Sequence, residues 1–376
     1  MENGEFPHIK VKKEDAQALI KFIENYSKKT SILNKKYKVI KENEYIFFPL
    51  NYMELNNEKI IDSTTINVKF EIVKKRGIRN KNYKYRTLEE ALKTKIPEKF
   101  IELIPKSFDI IGNCAIVELD TFNDFNIGLN IKKKIALAIL NVNKNVRSVF
   151  EKISEIKGTF RLRKLKILAG NNNTETIHKE NSCFFKLDVE KTFFSPRLLS
   201  ERKRISSCIN IKPNEKIVDL FAGVGPFSIQ IAKKKNVEIY AFDINPNAIK
   251  YLKENIKLNK LKGIIIPELI DVNNLLKNSN LIGVSLKSKV DRVLMNLPEN
   301  SLKFINIACY LIKEKGGIIH NYQFCDKPAS IEKAIKNFEI EIKKNNYKLH
   351  RIDHLKILKQ ISPKTDMIVI DAFIKK

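Results

Sequence analysis

Over the second half of the chain, short apolar runs alternate with stretches whose apolar residues recur at helical spacing. Ile217-Val218 leads into Asp219, Ile239 to Phe242 into Asp243, Ile264 to Ile270 into Asp271, and Val290 to Met295 into Asn296. Helical patterns fill the gaps: Ser228 to Ala232, Asn245 to Asn259, and Leu302 to Lys315, the last closed by Gly316-Gly317 as a C-cap. A strand from Ile318 to Tyr322, a helix from Ser330 to Asn346 and a strand from Met367 to Ile374 complete the series. Strands alternating with helices predict a doubly wound α/β sheet. Ligands of such sheets sit at the carboxyl ends of the strands, and four of those ends carry Asp219, Asp243, Asp271 and Asn296.

The first half reads as smaller α+β units. Ile9 to Val11 is a strand, Asp15 caps a helix with apolar positions Ala18, Leu19, Phe22 and Ile23, and Tyr37 to Ile40 forms a hairpin with Tyr45 to Phe48. A basic stretch follows, with Lys74, Lys75, Arg76, Arg79, Lys81, Lys84 and Arg86 around Tyr83 and Tyr85. It reads as a solvated linker or as a surface for RNA backbone. From Leu88 onward come a helix, a hairpin about Gly112-Asn113, a helix near Ile131 to Asn141, a strand from Asn145 to Val149, and paired strands Thr176 to Asn181 and Phe184 to Val189. Ser195-Pro196 starts the next helix, a cap followed by proline. The domains expected are 1–70, 71–190 and 191–376.

Charge changes the picture. The 376 residues carry 70 Lys+Arg against 43 Asp+Glu, a net charge of +27. Such an excess suits a polyanionic partner, and a nucleic acid is expected. The five cysteines show no Cys-x-x-Cys spacing, so no metal site and no disulfide framework is indicated. The opening residues lack the apolar core of a signal peptide, and no run approaches a membrane span. A cytoplasmic monomer without membrane contact is expected.

The turn after the first of these strands, Asp219-Leu220-Phe221-Ala222-Gly223-Val224-Gly225-Pro226, narrows the ligand. Glycine lets backbone approach a ligand closely. Asp243 lies about 20 residues further on, where an acid meets ribose hydroxyls. A dinucleotide site wants a third glycine where Ser228 stands. Asp219 beside the turn would repel a pyrophosphate but suit an ammonium group. S-adenosylmethionine has the ammonium and no phosphate, and Asp271 could meet its adenine amine. Any one of these acids could be an ordinary strand-end or cap residue; four in register with a Gly-rich turn read as a site.

Three segments together resemble the tRNA (guanine-N1)-methyltransferase family of archaeal and eukaryotic type, which acts at tRNA position 37. They are Phe160-Arg161-Leu162-Arg163 with Leu168-Ala169-Gly170, Phe194-Ser195-Pro196-Arg197-Leu198 with Glu201-Arg202, and Asp219 to Phe227. Asp243-Ile244-Asn245-Pro246, Asn255 to Asn259, Asn296-Leu297-Pro298 and Ile177 to Asn181 extend the likeness. The N-terminal unit looks like the family's small tRNA-elbow-binding domain. The resemblance implies a class I, Rossmann-like S-adenosylmethionine-dependent methyltransferase domain with two smaller N-terminal α+β domains, and tRNA as partner. It implies Glu201 as general base, with Arg161 and Asn296 steadying the target guanine. The cofactor would be lined by Arg202, Phe221, Gly223, Gly225, Asp219, Asp243, Ile244, Asp271, Val272 and Asn296. RNA contacts would come from Arg161, Arg163, Arg197 and Pro298. The chemistry agrees: guanine N-1 carries a proton that a carboxylate must take, and charge building on O-6 suits a guanidinium. Bland readings of the same residues are a helix salt bridge for Glu201, phosphate binding for Arg161, and a structural strand role for His178. This chain departs from the family at Phe193, often tyrosine, at Leu199 and Ser200, where glycine is common, and at Glu299 after Pro298. Rival readings are a wyosine-pathway aminocarboxypropyltransferase or methyltransferase on the same scaffold, and a non-catalytic RNA-binding protein.

Overall fold

The computed structural model describes residues 5–26, 32–51, 68–80, 82–123, 128–156, 158–208, 210–327 and 331–376. Lys81 and Ser330, named above, lie outside these residues. The chain divides into two compact units, Met1–Arg86 and Thr87–Lys376.

In the first unit β1 (Glu5–Lys12), α1 (Ala16–Tyr26), β2 (Ile40–Glu42), β3 (Tyr45–Pro49) and β4 (Phe70–Arg76) form an antiparallel sheet of order β2-β3-β1-β4 beside one helix. Ile9 and Val11 of β1 meet Leu19 and Ile23 of α1 in its core. Part of the basic stretch is therefore a strand, not a linker. Ion pairs cross this sheet: Lys75 of β4 bonds Glu42 of β2 at 2.6 Å, and Lys10 of β1 bonds Glu71 of β4 at 3.1 Å.

The second unit opens with α2 (Leu88–Leu92), β5 (Asp109–Ile111), β6 (Cys114–Val117), α3 (Gly128–Val142), β7 (Ser148–Lys152) and β8 (Leu165–Gly170). These strands form a sheet in chain order, with β6 and β7 parallel across the α3 crossover. Lys132 of α3 is buried and bonds Glu151 of β7, so this lysine is structural. A two-stranded ribbon, β9 (Glu175–Glu180) and β10 (Cys183–Asp188), follows.

After α4 (Leu199–Ser206) comes the large sheet: β11 (Lys216–Asp219), α5 (Pro226–Lys234), β12 (Glu238–Asp243), α6 (Pro246–Leu258), β13 (Ile264–Leu269), α7 (Leu281–Leu286), β14 (Arg292–Met295), α8 (Ile305–Leu311), β15 (Gly317–Asp326), α9 (Ile331–Lys344), β16 (Lys348–Ser362) and β17 (Thr365–Lys375). The order is β13-β12-β11-β14-β15-β17-β16, with β11 to β15 parallel and β17 antiparallel to both its neighbours. The order reverses between β11 and β14, the switch point at which such sheets bind ligands. Residues of both faces, such as Ile217 and Ile239 on one and Val218 and Val293 on the other, enter separate apolar cores.

The ribbon is tied to this domain by side chains. Asn255 of α6 accepts from Lys186 N and donates to Lys186 O, at 2.7 and 3.0 Å. Asn259 does the same for Phe184, at 3.0 and 2.8 Å.

Three local expectations change. The helix expected over Leu302 to Lys315 is only Ile305–Leu311, because Ile312 turns extended; Gly316, at φ +115°, leads into β15 instead of capping that helix. Ser195 makes no side-chain cap, and a 3-10 turn at Pro196–Leu198 precedes α4. The long strand β16 had no counterpart in the pattern reading.

Candidate active site

The turn after β11 is built by two glycines with different tasks. Both have positive φ, +56° at Gly223 and +87° at Gly225. A Cβ on Gly225 would come within 2.3 Å of Leu252 Cδ1, so this glycine admits α6. A Cβ on Gly223 would find only Phe193 O, at 3.9 Å, so this glycine leaves space beside the turn open. Gly223 N–H donates to Asp243 Oδ2 at 2.7 Å, and Asn245 N–H to Oδ1 at 2.8 Å. The turn and the end of β12 are thereby locked together. Burial holds the Asp243 carboxyl above its ordinary range against these backbone bonds.

Around this turn lies a cavity of about 220 Å³. Of the residues expected in a site, Phe221, Gly223, Asp243, Ile244, Asp271, Val272, Asn296, Arg202 and Arg161 line it. Asp219, Gly225 and Glu201 are not among its lining residues. Asp219 is buried beneath the turn, where its Oδ2 accepts from the Ser228 hydroxyl at 2.7 Å. Burial pushes its carboxyl up to about 7. The residue that replaces the third glycine thus serves as partner to the buried acid. Asp271 also caps the turn that follows it, accepting from Asn273 N at 3.0 Å. Phe304, missed in the sequence, closes one wall and meets Phe221 edge-on at 5.0 Å.

Helix α4 carries Arg202 and Glu201 into different surroundings. Arg202 is buried and grips Glu180 of β9 with Nε at 2.5 Å and Nη2 at 2.6 Å, while Nη2 also reaches Ser195 O. Gln230 of α5 donates to the same carboxylate. Glu201 is 4% exposed. Its carboxylate accepts from both Nε and Nη2 of Arg204 and from the Tyr322 hydroxyl at 2.8 Å. Arg204 continues to Asp371, Asp371 to His320, and His320 to Arg292. Arg292 can only donate, so His320 Nε2 is an acceptor and Nδ1 carries the proton toward Asp371. Burial alone would raise Asp371, but His320 and Arg204 outweigh it and hold the carboxyl at about 2. The pairing of Glu201 with Arg204, three residues apart, was open to a sequence reading; Tyr322 and Asp371 are brought in by the sheet.

Arg161 stands between this cavity and a second, basic cleft lined by Lys152, Arg161, Arg163, Arg197 and Lys359 with Asp109 and Glu118. Arg197 bonds Asp109 at 2.8 Å. Burial and the neighbouring Arg197 lower the Lys359 ammonium. The Arg161 guanidinium lies over the Phe193 ring, 4.8 Å from its centre. Pro298, expected at the RNA, is buried, and its carbonyl accepts from Phe324 N, so it shapes the loop and offers no surface. His178 accepts from Gly112 N at 3.1 Å, a structural role. All five cysteines are free, and four are buried. Among the described residues no group of side chains could hold a metal, and no helix is long and apolar enough to cross a membrane.

Comparison with known proteins places the chain in a family. The TRM5/TYW2 methyltransferase domain matches residues 176–350, and the TYW2 N-terminal domain residues 88–174. The tRNA (guanine(37)-N(1))-methyltransferase Trm5b of Methanocaldococcus jannaschii is 38% identical over 92% of this chain and 93% of its own. From the same organism, the tRNA(Phe) (4-demethylwyosine(37)-C(7)) aminocarboxypropyltransferase is 39% identical over 58% of this chain and 82% of its own. The solved complex of aTrm5 and tRNALeu superposes with a TM-score of 0.72 at 34% identity, covering 98% of this chain and 99% of the other. With 38% identity to such an enzyme over 92% of its length and a shared fold over 98% of it, the chain belongs to the tRNA (guanine-N1)-methyltransferase family of archaeal and eukaryotic type.

Proposed function

We propose that this chain transfers the methyl group of S-adenosylmethionine to N-1 of guanosine 37 in tRNA. The observation that carries the reading is that Arg161 and Asn296 share one cavity with Gly223, Asp243, Ile244 and Val272. A group for the base and groups for the cofactor thus meet at the switch point. The methyl reading is favoured over aminocarboxypropyl transfer because the likeness to the methyltransferase takes in 92% of the chain, against 58%.

The residues present suit the cofactor. Gly223 leaves room against the turn, Asp243 keeps lone pairs for ribose hydroxyls, and Ile244 and Val272 offer apolar faces for an adenine. Bound there, S-adenosylmethionine supplies a methyl group already activated by its sulfonium. Arg161 and Asn296 hold the guanine so that N-1 faces that methyl; positioning is most of the catalysis. The Arg161 guanidinium offsets charge that builds on O-6 as the N-1 proton leaves. Glu201 takes that proton once its carboxylate turns from Arg204 toward the cavity lined by its neighbour Arg202. The basic cleft beside Arg161 carries the RNA backbone, with Arg163, Arg197 and Lys359 facing phosphates.

The test uses labelled S-adenosylmethionine and tRNA transcripts bearing guanosine or adenosine at position 37, with nucleoside mass analysis. Label recovered as 1-methylguanosine from the guanosine transcript alone supports the reading. An aminocarboxypropyl adduct, or tRNA binding without label, overturns it.

A further inference from the structure

Glu299, where this chain departs from its family's pattern, lies directly against the base-holding arginine. Its Oε1 accepts from Arg161 Nη2 at 3.0 Å, across 138 residues of sequence. The pair joins the turn before β8 to the loop after β14; Arg161 lines the cavity assigned to the guanine, and Glu299 stands beside it on the half-exposed side. The two partners differ in burial. The Arg161 side chain is 14% exposed and Glu299 45%. Arg161 is held at φ +55°, a backbone region that non-glycine residues enter at a cost, with its guanidinium laid on Phe193.

The pair also has unused capacity on the Glu299 side. Arg161 Nε has no hydrogen-bond partner among the described residues, but it is buried away from any ligand. Only one carboxylate oxygen of Glu299 is bonded among the described residues. The arrangement offers a free acceptor on Glu299 beside the Arg161 guanidinium. The Watson–Crick edge of guanine carries the O-6 acceptor at one end and the N-2 amine donor at the other, with N-1 between. Adenine presents an amine where guanine has O-6. Glu201 cannot supply this acceptor from where it stands, since Arg204 and Tyr322 occupy its oxygens.

We propose that Glu299 is a specificity-determining residue that accepts a hydrogen bond from the exocyclic amine of the target guanine. The inference rests on the guanosine reading above. Arg161 Nη2 keeps its bond to Glu299 throughout, so the carboxylate is never left uncompensated beside the base. N-1 stays free for the methyl group.

Steady-state kinetics on three transcripts test this, with guanosine, inosine or adenosine at position 37, for wild type, Glu299→Ala and Glu299→Gln. Inosine lacks only the amine. Wild type is expected to favour guanosine over inosine in kcat/KM by roughly tenfold to a hundredfold, the range of a hydrogen bond to a charged group. In Glu299→Ala the guanosine value falls by that factor and the inosine value does not move. Glu299→Gln, whose amide oxygen still accepts, keeps part of the preference. Equal losses on guanosine and inosine would make Glu299 a mere support for Arg161 and overturn the assignment. So would faster guanosine turnover in Glu299→Ala, or wild type that treats the two bases alike. A wild-type chain that leaves guanosine unmodified overturns the guanosine reading itself and this assignment with it. S-adenosylmethionine affinity equal to wild type certifies that each variant is folded.

Discussion

Arg204 holds Glu201 by both ends of its guanidinium, Nε on Oε2 at 2.8 Å and Nη2 on Oε1 at 2.6 Å. The carboxylate proposed to take the N-1 proton is therefore stored, itself buried, against a half-buried arginine, one residue from the cavity wall. Glu201→Gln is expected to bind S-adenosylmethionine as wild type does and to cut methyl transfer by roughly 10² to 10⁴, the range of a lost general base. Single-turnover assays with isothermal titration separate the two quantities. Unimpaired turnover would remove Glu201 from the mechanism. Arg204→Ala leaves Glu201 and Asp371 without their shared cation. Its expected cost is about 3 kcal/mol of folding stability, as for other broken buried pairs, read from urea unfolding.

Asp371 makes part of the fold's stability depend on acid. Its folded carboxyl sits at about 2 against an ordinary 3.8, held down by His320 and Arg204 over the opposing effect of burial. A depressed carboxylate stabilises above its unfolded value and loses that effect as pH falls toward its folded value. The contribution is about 2 kcal/mol above pH 4, vanishing by about pH 2. Asp219 has the opposite sign. Its carboxyl is pushed up to about 7 by burial, so ionising it costs stability as pH rises from about 4 to 7. Asp219→Asn is expected to melt higher than wild type at pH 8 and no higher at pH 4. Thermal melts of the ligand-free protein at both values check this, and a difference that does not change with pH would refute it.

Asp243 ties the turn and, in the reading above, the ribose. Asp243→Ala should weaken S-adenosylmethionine binding by about tenfold to a hundredfold, the scale of a lost charged hydrogen bond. An unchanged dissociation constant would contradict the ribose assignment.

The two glycines of the turn should separate folding from binding. An alanine at 225 meets Leu252 at 2.3 Å in a left-handed backbone. Gly225→Ala is expected to lose about 2 kcal/mol of stability or more through overpacking and strain. At Gly223 there is no clash, only a φ of +56° and a methyl placed in the cavity. Gly223→Ala should cost about 1 kcal/mol in stability, yet lose more in cofactor affinity than Gly225→Ala does. Paired melts and titrations decide it; the reverse order would move the cofactor away from the turn.

The doubly wound sheet was legible because its strands are buried on both faces and end on acids, which makes Asp219, Asp243, Asp271 and Asn296 visible as a series. Strand β16 was not. Its apolar residues Leu349, Ile352 and Leu355 recur every third position, because irregularities between Leu349/Arg351 and Ile352/His354 break the two-residue alternation. Spacing of that kind looks helical on paper. The turn and the strand-end acids Asp219, Asp243 and Asp271 were legible in the same way, through local motifs; Arg161 was singled out only through the family resemblance. The surroundings of Glu201 were not, since Tyr322 and Asp371 reach it from β15 and β17, far along the chain. The basic stretch over Lys74 to Arg76 misled for a different reason. An edge strand of an antiparallel sheet can carry many lysines when their long side chains reach acids such as Glu42 on another strand.

Asn255 and Asn259 show how a helix can stand in for a missing strand. Each primary amide presents one acceptor and one donor, the same pair that a strand residue offers across a ladder. Four residues of helix rise about 6.0 Å, and two residues of strand about 6.6 Å. Asn at i and i+4 therefore falls in step with every second residue of β10, and Phe184 and Lys186 find their counterparts without a neighbouring strand. The exposed rim of the ribbon is closed to pairing with another molecule. Its register against α6, the helix after β12, is also fixed, so a slip of even one residue would leave both amides facing the wrong peptides.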